Sequence, residues 1–316
     1  MANYLVTGGA GFIGSHIAET LAGRGDRVRV LDNLLTGKRA NMDSFIDRVE
    51  FIEGDIRDLD VCRRAAAGID HVLHQAALPS VPRSVDDPLT TNAINVDGTL
   101  NMLIAGRDAG VRSFVMASSS SVYGDDPDLP KIEGKEGKPL SPYATSKRVN
   151  ELYGQAFHYL YGLKTVALRY FNVFGPRQDP HSQYAAVVPL FITKVLKDEP
   201  PVIFGDGEQS RDFTYVANIV QANIAAAESD TAGGEIFNIA RGEQMTVNNL
   251  LEAVNLVLEK NVKPLYADPR PGDIVHSYAH VRKARRVMGY DAVISFMDGL
   301  RTTIAWYQNQ PLESPA

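Results

Sequence analysis

Three glycines near the amino terminus restrict this chain more than any other feature. Asn3-Tyr4-Leu5-Val6-Thr7 is a short apolar run with strand character, and it leads into Gly8, Gly11 and Gly14 at G-x-x-G-x-x-G spacing. Helical periodicity starts at once, with Ile13, Ile17, Ala18 and Leu21 on one face. Such glycines permit a tight strand-to-helix turn, let a pyrophosphate approach backbone N–H groups, and let the helix pack closely on the strand. A second strand, Arg27-Val28-Arg29-Val30-Leu31, ends at Asp32. An acid at that strand tip accepts hydrogen bonds from a ribose 2′-hydroxyl and repels a 2′-phosphate, which favours NAD over NADP. Lys38 and Arg39 lie nearby and pull toward NADP, but Asp32 holds the tip itself. An ordinary glycine-rich βα turn looks the same in isolation, so the remaining strands decide.

They repeat the pattern. Val49 to Glu53 leads into Gly54-Asp55-Ile56, His71 to His74 into Gln75-Ala76-Ala77, and Ser113 to Ala117 into Ser118-Ser119-Ser120-Ser121. Strands alternating with helical stretches predict an α/β fold: a Rossmann-type doubly wound parallel sheet with helices on both faces. Ligands of such sheets bind at the carboxyl ends of the strands, where Gly8, Asp32, Asp55, Ala76 and Ser119 all fall. After Thr165 to Leu168 and Arg169-Tyr170-Phe171-Asn172 the alternation becomes irregular. That predicts a smaller C-terminal α/β lobe. The first domain is expected over 1–171, with segments around 212–240 returning to it, and the second over 172–316. The stretches 88–109 and 141–161 read as long helices whose apolar faces either pair with a second subunit as a four-helix bundle or pack on the sheet. The stretch 125–139, rich in Gly, Pro and charge, reads as a surface loop bordering the site.

Ser141-Pro142 has the character of a helix start, which puts Tyr143 and Lys147 one turn apart on one face. A free phenol ionises near pH ~10, and a nearby ammonium favours the phenolate and brings that value toward working pH. Such a pair takes a proton from a sugar hydroxyl when something adjacent accepts the hydride. The serine run is no linker, because an apolar strand precedes it and Val122-Tyr123-Gly124 follows. Arg211 and Arg270 stand in loops of the late lobe, where they either hold a diphosphate or pair with Asp212 and Asp273. A net charge of −6 argues against a nucleic-acid surface. The single cysteine, Cys62, excludes an intrachain disulfide and fits a reducing, cytoplasmic setting. No apolar run approaches the ~18 residues of a membrane span. His276 and His280 have the i, i+4 spacing of a helical zinc pair, but no Glu follows His276 and no cysteine pair exists, so no metal is expected. His71 and His74 read as core histidines. The G-x-S-x-G elbow of a serine hydrolase is absent.

Taken together, the Thr7–Gly14 turn, Asp32-Asn33, Gly54-Asp55-Ile56, the serines before Val122-Tyr123-Gly124, and Tyr143-x-x-x-Lys147 resemble the extended short-chain dehydrogenase/reductases. Over residues 1–307 the chain looks like the nucleotide-sugar 4-epimerases of the UDP-galactose 4-epimerase type. The run from His74 to Ser84 looks closer still to the UDP-N-acetylglucosamine 4-epimerase branch. The resemblance implies that Gly8, Gly11, Phe12, Ile13 and Gly14 surround the pyrophosphate of a tightly bound NAD. It puts Asp32 and Asn33 at the adenosine ribose, Asp55 and Ile56 at the adenine, and Gln75, Ala76, Ala77, Asn95 and Tyr170 near the cofactor. Tyr143 becomes the base, and Lys147 its electrostatic partner and a ligand of the nicotinamide ribose. Ser119, with Ser120 as fallback, hydrogen-bonds the sugar O4. Val81, Ser84, Ser119, Asn172, Val187, Arg211, Arg270, Asp273 and Ser277 fall on the UDP-sugar side. One departure is Pro79, which stands where some members place a cofactor-facing lysine. A homodimer through the two long helices is also implied.

The implied reaction removes the O4 proton through Tyr143 while C4 gives hydride to NAD, turns the resulting 4-keto sugar over, and returns the hydride to the opposite face. Sugar-nucleotide 4,6-dehydratases of the same scaffold need an acid and a base after the catalytic Ser/Thr, and UDP-glucuronate decarboxylases usually carry Glu at the second of these places. Here Ser120 and Ser121 stand there. Non-catalytic NAD(P)-sensing relatives typically lack the Tyr/Lys pair. In the family it resembles, a late position decides whether a 2-acetamido group fits: Tyr excludes it and a smaller residue admits it. Counted from Gly272-Asp273, that position is Ser277, which implies interconversion of UDP-GlcNAc and UDP-GalNAc as well as UDP-Glc and UDP-Gal.

Overall fold

The computed structural model describes residues 1–180, 186–269 and 275–310. Six strands come early in the chain: β1 (Asn3–Thr7), β2 (Arg27–Asp32), β3 (Glu50–Glu53), β4 (His71–His74), β5 (Ser113–Ser119) and β6 (Thr165–Tyr170). A seventh, Ile236–Ile239, arrives from far downstream and pairs with β6. All are parallel, in the order β3-β2-β1-β4-β5-β6 and then the seventh. The chain runs outward from β1 to β3 and then returns to lay β4 on the free side of β1. Strand order therefore reverses between β1 and β4, and a crevice opens at their carboxyl ends. Thr7 sits at this point, paired with Leu31 on one side and His74 on the other.

The helices are α1 (Phe12–Gly23), α2 (Leu59–Ala66), α3 (Val81–Asp86), α4 (Pro88–Asn92), α5 (Gly98–Asp108), α6 (Pro142–Tyr161), α7 (Val187–Leu196), α8 (Val216–Glu228), α9 (Val247–Leu258), α10 (Arg282–Met288) and α11 (Phe296–Gln308). The sheet is apolar on both faces, as parallel sheets must be when helices cover both sides. Tyr4, Val6, Val30, Val115 and Leu168 pack with Ile17 and Leu21 of α1 and Ile219 of α8. Leu5, Leu31, Val72, Phe114 and Met116 pack with Cys62 of α2, Met102 and Leu103 of α5, and Phe157 of α6. Each such aliphatic side chain contributes roughly 1.5–3 kcal/mol by leaving water, which makes these layers the main support of the crevice. No helix among the described residues is long and apolar enough to cross a membrane.

A separate core forms from Phe174, Phe191, Ile192, Phe213, Leu250, Val254, Phe296 and Leu300, built largely on α7, α9 and α11. It is tied back to the sheet at two places. Val122, Tyr123, Phe171, Ala240 and Ala279 make a small buried cluster beside the serine loop. On the other side, His16 Nε2 lies 2.9 Å from the Pro176 carbonyl, Arg177 pairs with Glu19 at 2.6 Å, and Lys38 with Asp179 at 2.9 Å.

Two expectations need correction. The long helix expected over 88–109 is broken into α4 and α5 by a π-helical turn, Ala93–Asp97, which brings the side chain of Asn95 inward. The stretch 125–139 is not simply a surface loop either. Lys131 is only 5% exposed, and its backbone bonds Tyr278 O and His280 N, which docks the loop on the segment around Ala279. His276 lies in a two-residue strand, His276–Ser277, with its Nδ1 2.8 Å from Ser210 Oγ.

Candidate active site

The glycine turn is built so tightly that side chains cannot enter. Gly8 has φ +69°, and a Cβ there would lie 2.7 Å from the Ala76 nitrogen; a Cβ on Gly14 would lie 2.1 Å from the Gly8 carbonyl oxygen. Gly11 precedes α1 without a side-chain cap, and no acid follows in the first turn, where Phe12 and Ile13 stand. The leading N–H groups of a twelve-residue helix are thus left for an anion. Asp32 ends β2 and accepts from Ala10 N at 3.0 Å and Leu34 N at 2.8 Å. Burial raises its pKa, and those two N–H groups oppose the rise. Its remaining lone pairs suit ribose hydroxyls. Lys38 is engaged with Asp179, and the Arg39 guanidinium lies over Phe51, 5.2 Å from the ring centroid. These are the features of a dinucleotide cradle, and they fit NAD.

The other cofactor candidates gather around the same crevice. Asn33 Nδ2 donates to Asp55 at 2.8 Å, and Arg57 holds the Asp55 carboxyl down to about 2 through hydrogen bonds that outweigh burial. Ile56 is buried beside them. Ala76 N donates to Thr7 Oγ1 at 3.3 Å, and Ala77 follows. The Tyr170 hydroxyl donates to Gln75 at 3.1 Å and also meets Asn223, so its polar end is taken up by α8. Asn95 is placed differently from expectation. It is wholly buried, with Oδ1 accepting from Leu78 N at 2.7 Å and Nδ2 donating to Ser146 Oγ at 3.1 Å. Its amide is spent on joining the loop after β4 to α6, so it acts behind the crevice rather than on it. His74 is a core residue, held between Thr7 and Thr99 hydroxyls and pushed down to about 3 by burial and then by Lys147.

Tyr143, Lys147 and Ser119, the candidate reactive groups, lie together. Ser141 caps α6 by accepting from Ala144 N at 3.1 Å, and Pro142 occupies the first turn. Tyr143 is hydrogen-bonded by the Ser119 hydroxyl, which also accepts from Ser121 N at 3.2 Å. Of the two serines considered, Ser119 is therefore the one that reaches the phenol, while Ser120 opens the short 3-10 turn that follows. Lys147 is 4% exposed, donates to Ala117 O at 2.8 Å, and lies 5.9 Å from the Tyr143 ring centroid. Burial lowers it to about 8, opposed by Glu151. The expected downward pull of the ammonium on the phenol is not the dominant effect within the chain. Burial raises the Tyr143 pKa, and the Ser119 hydrogen bond only opposes it.

Ser84 also departs from its expected place. It is fully buried; its hydroxyl donates to Val81 O at 2.6 Å and accepts from Tyr143 N at 3.0 Å. It anchors the first turn of α6, and Val81 at the start of α3 is the more exposed of the two. Asn172 follows β6 at φ +26°, and Val187 opens α7. Arg211 and Ser277 are paired in register across two short parallel strands, with Ser277 8% exposed. Arg211 Nη1 donates to Ser210 O and Val275 O. Arg270 and Asp273 lie outside the described residues. Beside this strand pair is a cavity of about 860 Å³ whose lining includes Phe204, Gln209, Tyr266, Asp268 and His276. Sequence reasoning named His276 only in weighing a metal pair and did not name the other four, because nothing in spacing marks a side chain as facing a cavity.

It also missed a buried charge network under the serines. Arg169 of β6 is fully buried and meets Glu151 of α6 through Nε at 2.7 Å and Nη2 at 2.8 Å, while its Nη1 lies 2.6 Å from Glu136. Arg148 adds a bond to Glu151 at 2.8 Å, and Ser118 Oγ donates to Glu151 Oε1 at 2.6 Å. The signal was present: Glu151 stands four residues after Lys147 on the helix face that carries it, and Arg169 interrupts an otherwise inward-facing strand.

Residues 4–240 match the sequence family described as the NAD dependent epimerase/dehydratase family. The UDP-glucose 4-epimerase of Mycolicibacterium smegmatis is 37% identical over 310 residues, covering 97% of this chain and 98% of that one. Among solved structures, a UDP-N-acetylglucosamine 4-epimerase from Methanobrevibacter ruminantium, in complex with UDP-N-acetylmuramic acid, superposes with TM-score 0.94 at 45% identity over 98% of this chain and 99% of that one. A Thermus thermophilus UDP-glucose 4-epimerase in complex with NAD gives TM-score 0.88 at 40% identity, over 97% and 99%. The glycine cradle, the Tyr143–Ser119 pair and these likenesses converge: the chain belongs to the NAD dependent epimerase/dehydratase family, as an extended short-chain dehydrogenase/reductase of the nucleotide-sugar 4-epimerase type.

Proposed function

We propose that the chain inverts C4 of UDP-hexoses and accepts both the N-acetylated pair, UDP-GlcNAc and UDP-GalNAc, and the plain pair, UDP-Glc and UDP-Gal. The hydrogen-bonded Tyr143 and Ser119, with Lys147 one turn along the same helix, are the observation that supports it most. NAD, when bound across the glycine turn, supplies the hydride acceptor and donor, so that no net oxidation occurs. Tyr143 takes the O4 proton and later returns it, and Ser119 orients O4 and the phenol toward each other. Lys147 stabilises the negative charge that develops on the phenolate. Serines at 120 and 121 lack the acid and base that a dehydration would use. On this reading residues 1–171, with returning segments near 212–240, hold the dinucleotide. Residues 172–316 hold the UDP-sugar, with Asn172, Arg211 and Arg270 assigned to the UDP moiety and Ser277 to the 2-substituent of the sugar.

The test is to assay purified protein on all four UDP-sugars without added cofactor, alongside Ser277→Tyr. Wild type is expected to carry NAD and turn over all four. The variant should lose about tenfold or more on the acetylated pair by steric exclusion, while keeping the plain pair. Equal loss on both pairs would remove the specificity argument.

Dimerisation belongs to the same proposal. Leu89 is 82% exposed on α4, and Leu152 and Tyr159 are 50% and 87% exposed on α6. A second copy pairing these helices would cover apolar surface that is otherwise left in water. The double variant Leu89→Glu/Tyr159→Glu should run as a folded monomer in light scattering, where wild type runs as a dimer.

A further inference from the structure

We propose that Glu151, held by Arg169, is a positioning residue of this site: it fixes the end of the serine strand through Ser118 and keeps Lys147 in its ammonium form. The proposal rests on the reading of Tyr143, Lys147 and Ser119 as the reacting groups. Tyr143, Lys147 and Glu151 recur at four-residue intervals along α6 and so share one face. Lys147 donates to the Ala117 carbonyl at 2.8 Å, and one turn later Glu151 accepts from Ser118 Oγ at 2.6 Å. Two successive residues of β5 are thereby fastened to two successive turns of α6. The next residue, Ser119, is the one that hydrogen-bonds Tyr143. The spacing between the phenol and its serine is set by these two fastenings.

A neutral acceptor would serve Ser118 equally well, so the charge needs its own explanation. Glu151 is 1% exposed, and burying a carboxylate is costly unless it is paired. Arg169 and Arg148 pair it, and Glu136 in turn neutralises the rest of the Arg169 charge. The groups around Lys147 are Tyr143 and Glu151 on its own helix, neutral His74 on β4, the Ala117 carbonyl on β5, and Arg169 on β6 behind Glu151. Glu151 is the carboxylate that opposes the burial acting on Lys147. An ammonium is what a phenolate needs beside it, so Glu151 acts on the reaction through Lys147 without touching substrate.

The experiment compares Glu151→Gln, Glu151→Asp and Ser118→Ala with wild type. It follows the Lys147 side-chain 15N resonance against pH in the protein without substrate, and the pH profile of kcat with UDP-hexose. In Glu151→Gln the Lys147 midpoint and the alkaline limb of kcat should both move down by about one pH unit. Its kcat should fall about tenfold or more, with KM within about twofold. Ser118→Ala should lower kcat severalfold and leave the Lys147 midpoint in place, and Glu151→Asp should regain part of the loss. An unmoved Lys147 midpoint in folded Glu151→Gln overturns the proposal, as does a wild-type kcat in Ser118→Ala. Should Glu151→Gln not fold, Ser118→Ala and Glu151→Asp carry the test, and wild-type kcat in both overturns the proposal. If wild type epimerises no UDP-hexose, the functional reading fails while the Lys147 titration still decides this one.

Discussion

Replacing Tyr143 by phenylalanine is expected to leave a folded protein that still binds its dinucleotide, with the proposed UDP-hexose turnover slowed roughly 10²–10⁴-fold. The ring stays in place because Phe keeps every apolar contact, and the helix start is held by Ser141 and by Ser84 at the backbone of residue 143. Only the phenolic oxygen is lost, and with it the acceptor proposed for the O4 proton. Ser119 cannot replace it, since a hydroxyl of ordinary basicity is a poor base at neutral pH. The loss should fall on kcat, with KM for UDP-sugar changed little, because the oxygen matters when charge moves. Mass spectrometry of the intact protein checks NAD content, and turnover assays on UDP-GalNAc and UDP-Gal check the rate. A variant with more than a tenth of wild-type kcat would show that another group removes the proton.

Arg169→Leu is expected to cost stability on a comparable scale, roughly 3–5 kcal/mol, read as a fall in the denaturant midpoint. Arg169 is fully buried, and its removal leaves Glu151 and Glu136 facing each other with only the half-exposed Arg148 between them. The pH dependence carries a definite sign. Burial works to raise the Glu136 pKa, but Arg169 and a backbone N–H from Gly134 outweigh it, and the net shift is downward. A depressed carboxylate contributes stability that is complete above its unfolded value of about 4.5 and is lost as pH falls through the lower folded value. Without Arg169 that depression largely disappears. The gap in stability between variant and wild type should therefore be widest near neutrality and narrow on acidification below about pH 4. A gap that stays constant from neutrality down to about pH 2 would mean that Arg169 acts by packing alone.

The sequence was informative where a local rule and a ligand rule coincide. Gly8, Gly11 and Gly14 announce both a turn and an anion cradle, and the structure shows why: at Gly8 and Gly14 a methyl group would collide with backbone. Tyr143 and Lys147 were legible because helical spacing fixes which side chains share a face. What escaped was everything set by tertiary burial. Ser84 and Asn95 fitted a ligand-facing pattern, yet each spends its polar atoms inside the protein, on Tyr143 N and on Leu78 and Ser146. Composition gave no hint that Lys131, in a stretch rich in loop formers, would be buried against Ala279. The rise in the Tyr143 pKa was missed for the same reason: the motif names the ammonium, but only the packed structure supplies the desolvation that opposes it.

The late arrival of the strand Ile236–Ile239 bears on how the polypeptide acquires its shape. Until that segment leaves the ribosome, β6 is an open edge, and without α8 the apolar side chains of Val115 and Leu168 have no cover. A nascent chain ending near residue 171 therefore holds Tyr143 and the glycine turn on an unfinished sheet. Closure must wait for pairing across some seventy intervening residues, a slow non-local step of the kind that lowers folding rates and lengthens exposure to aggregation.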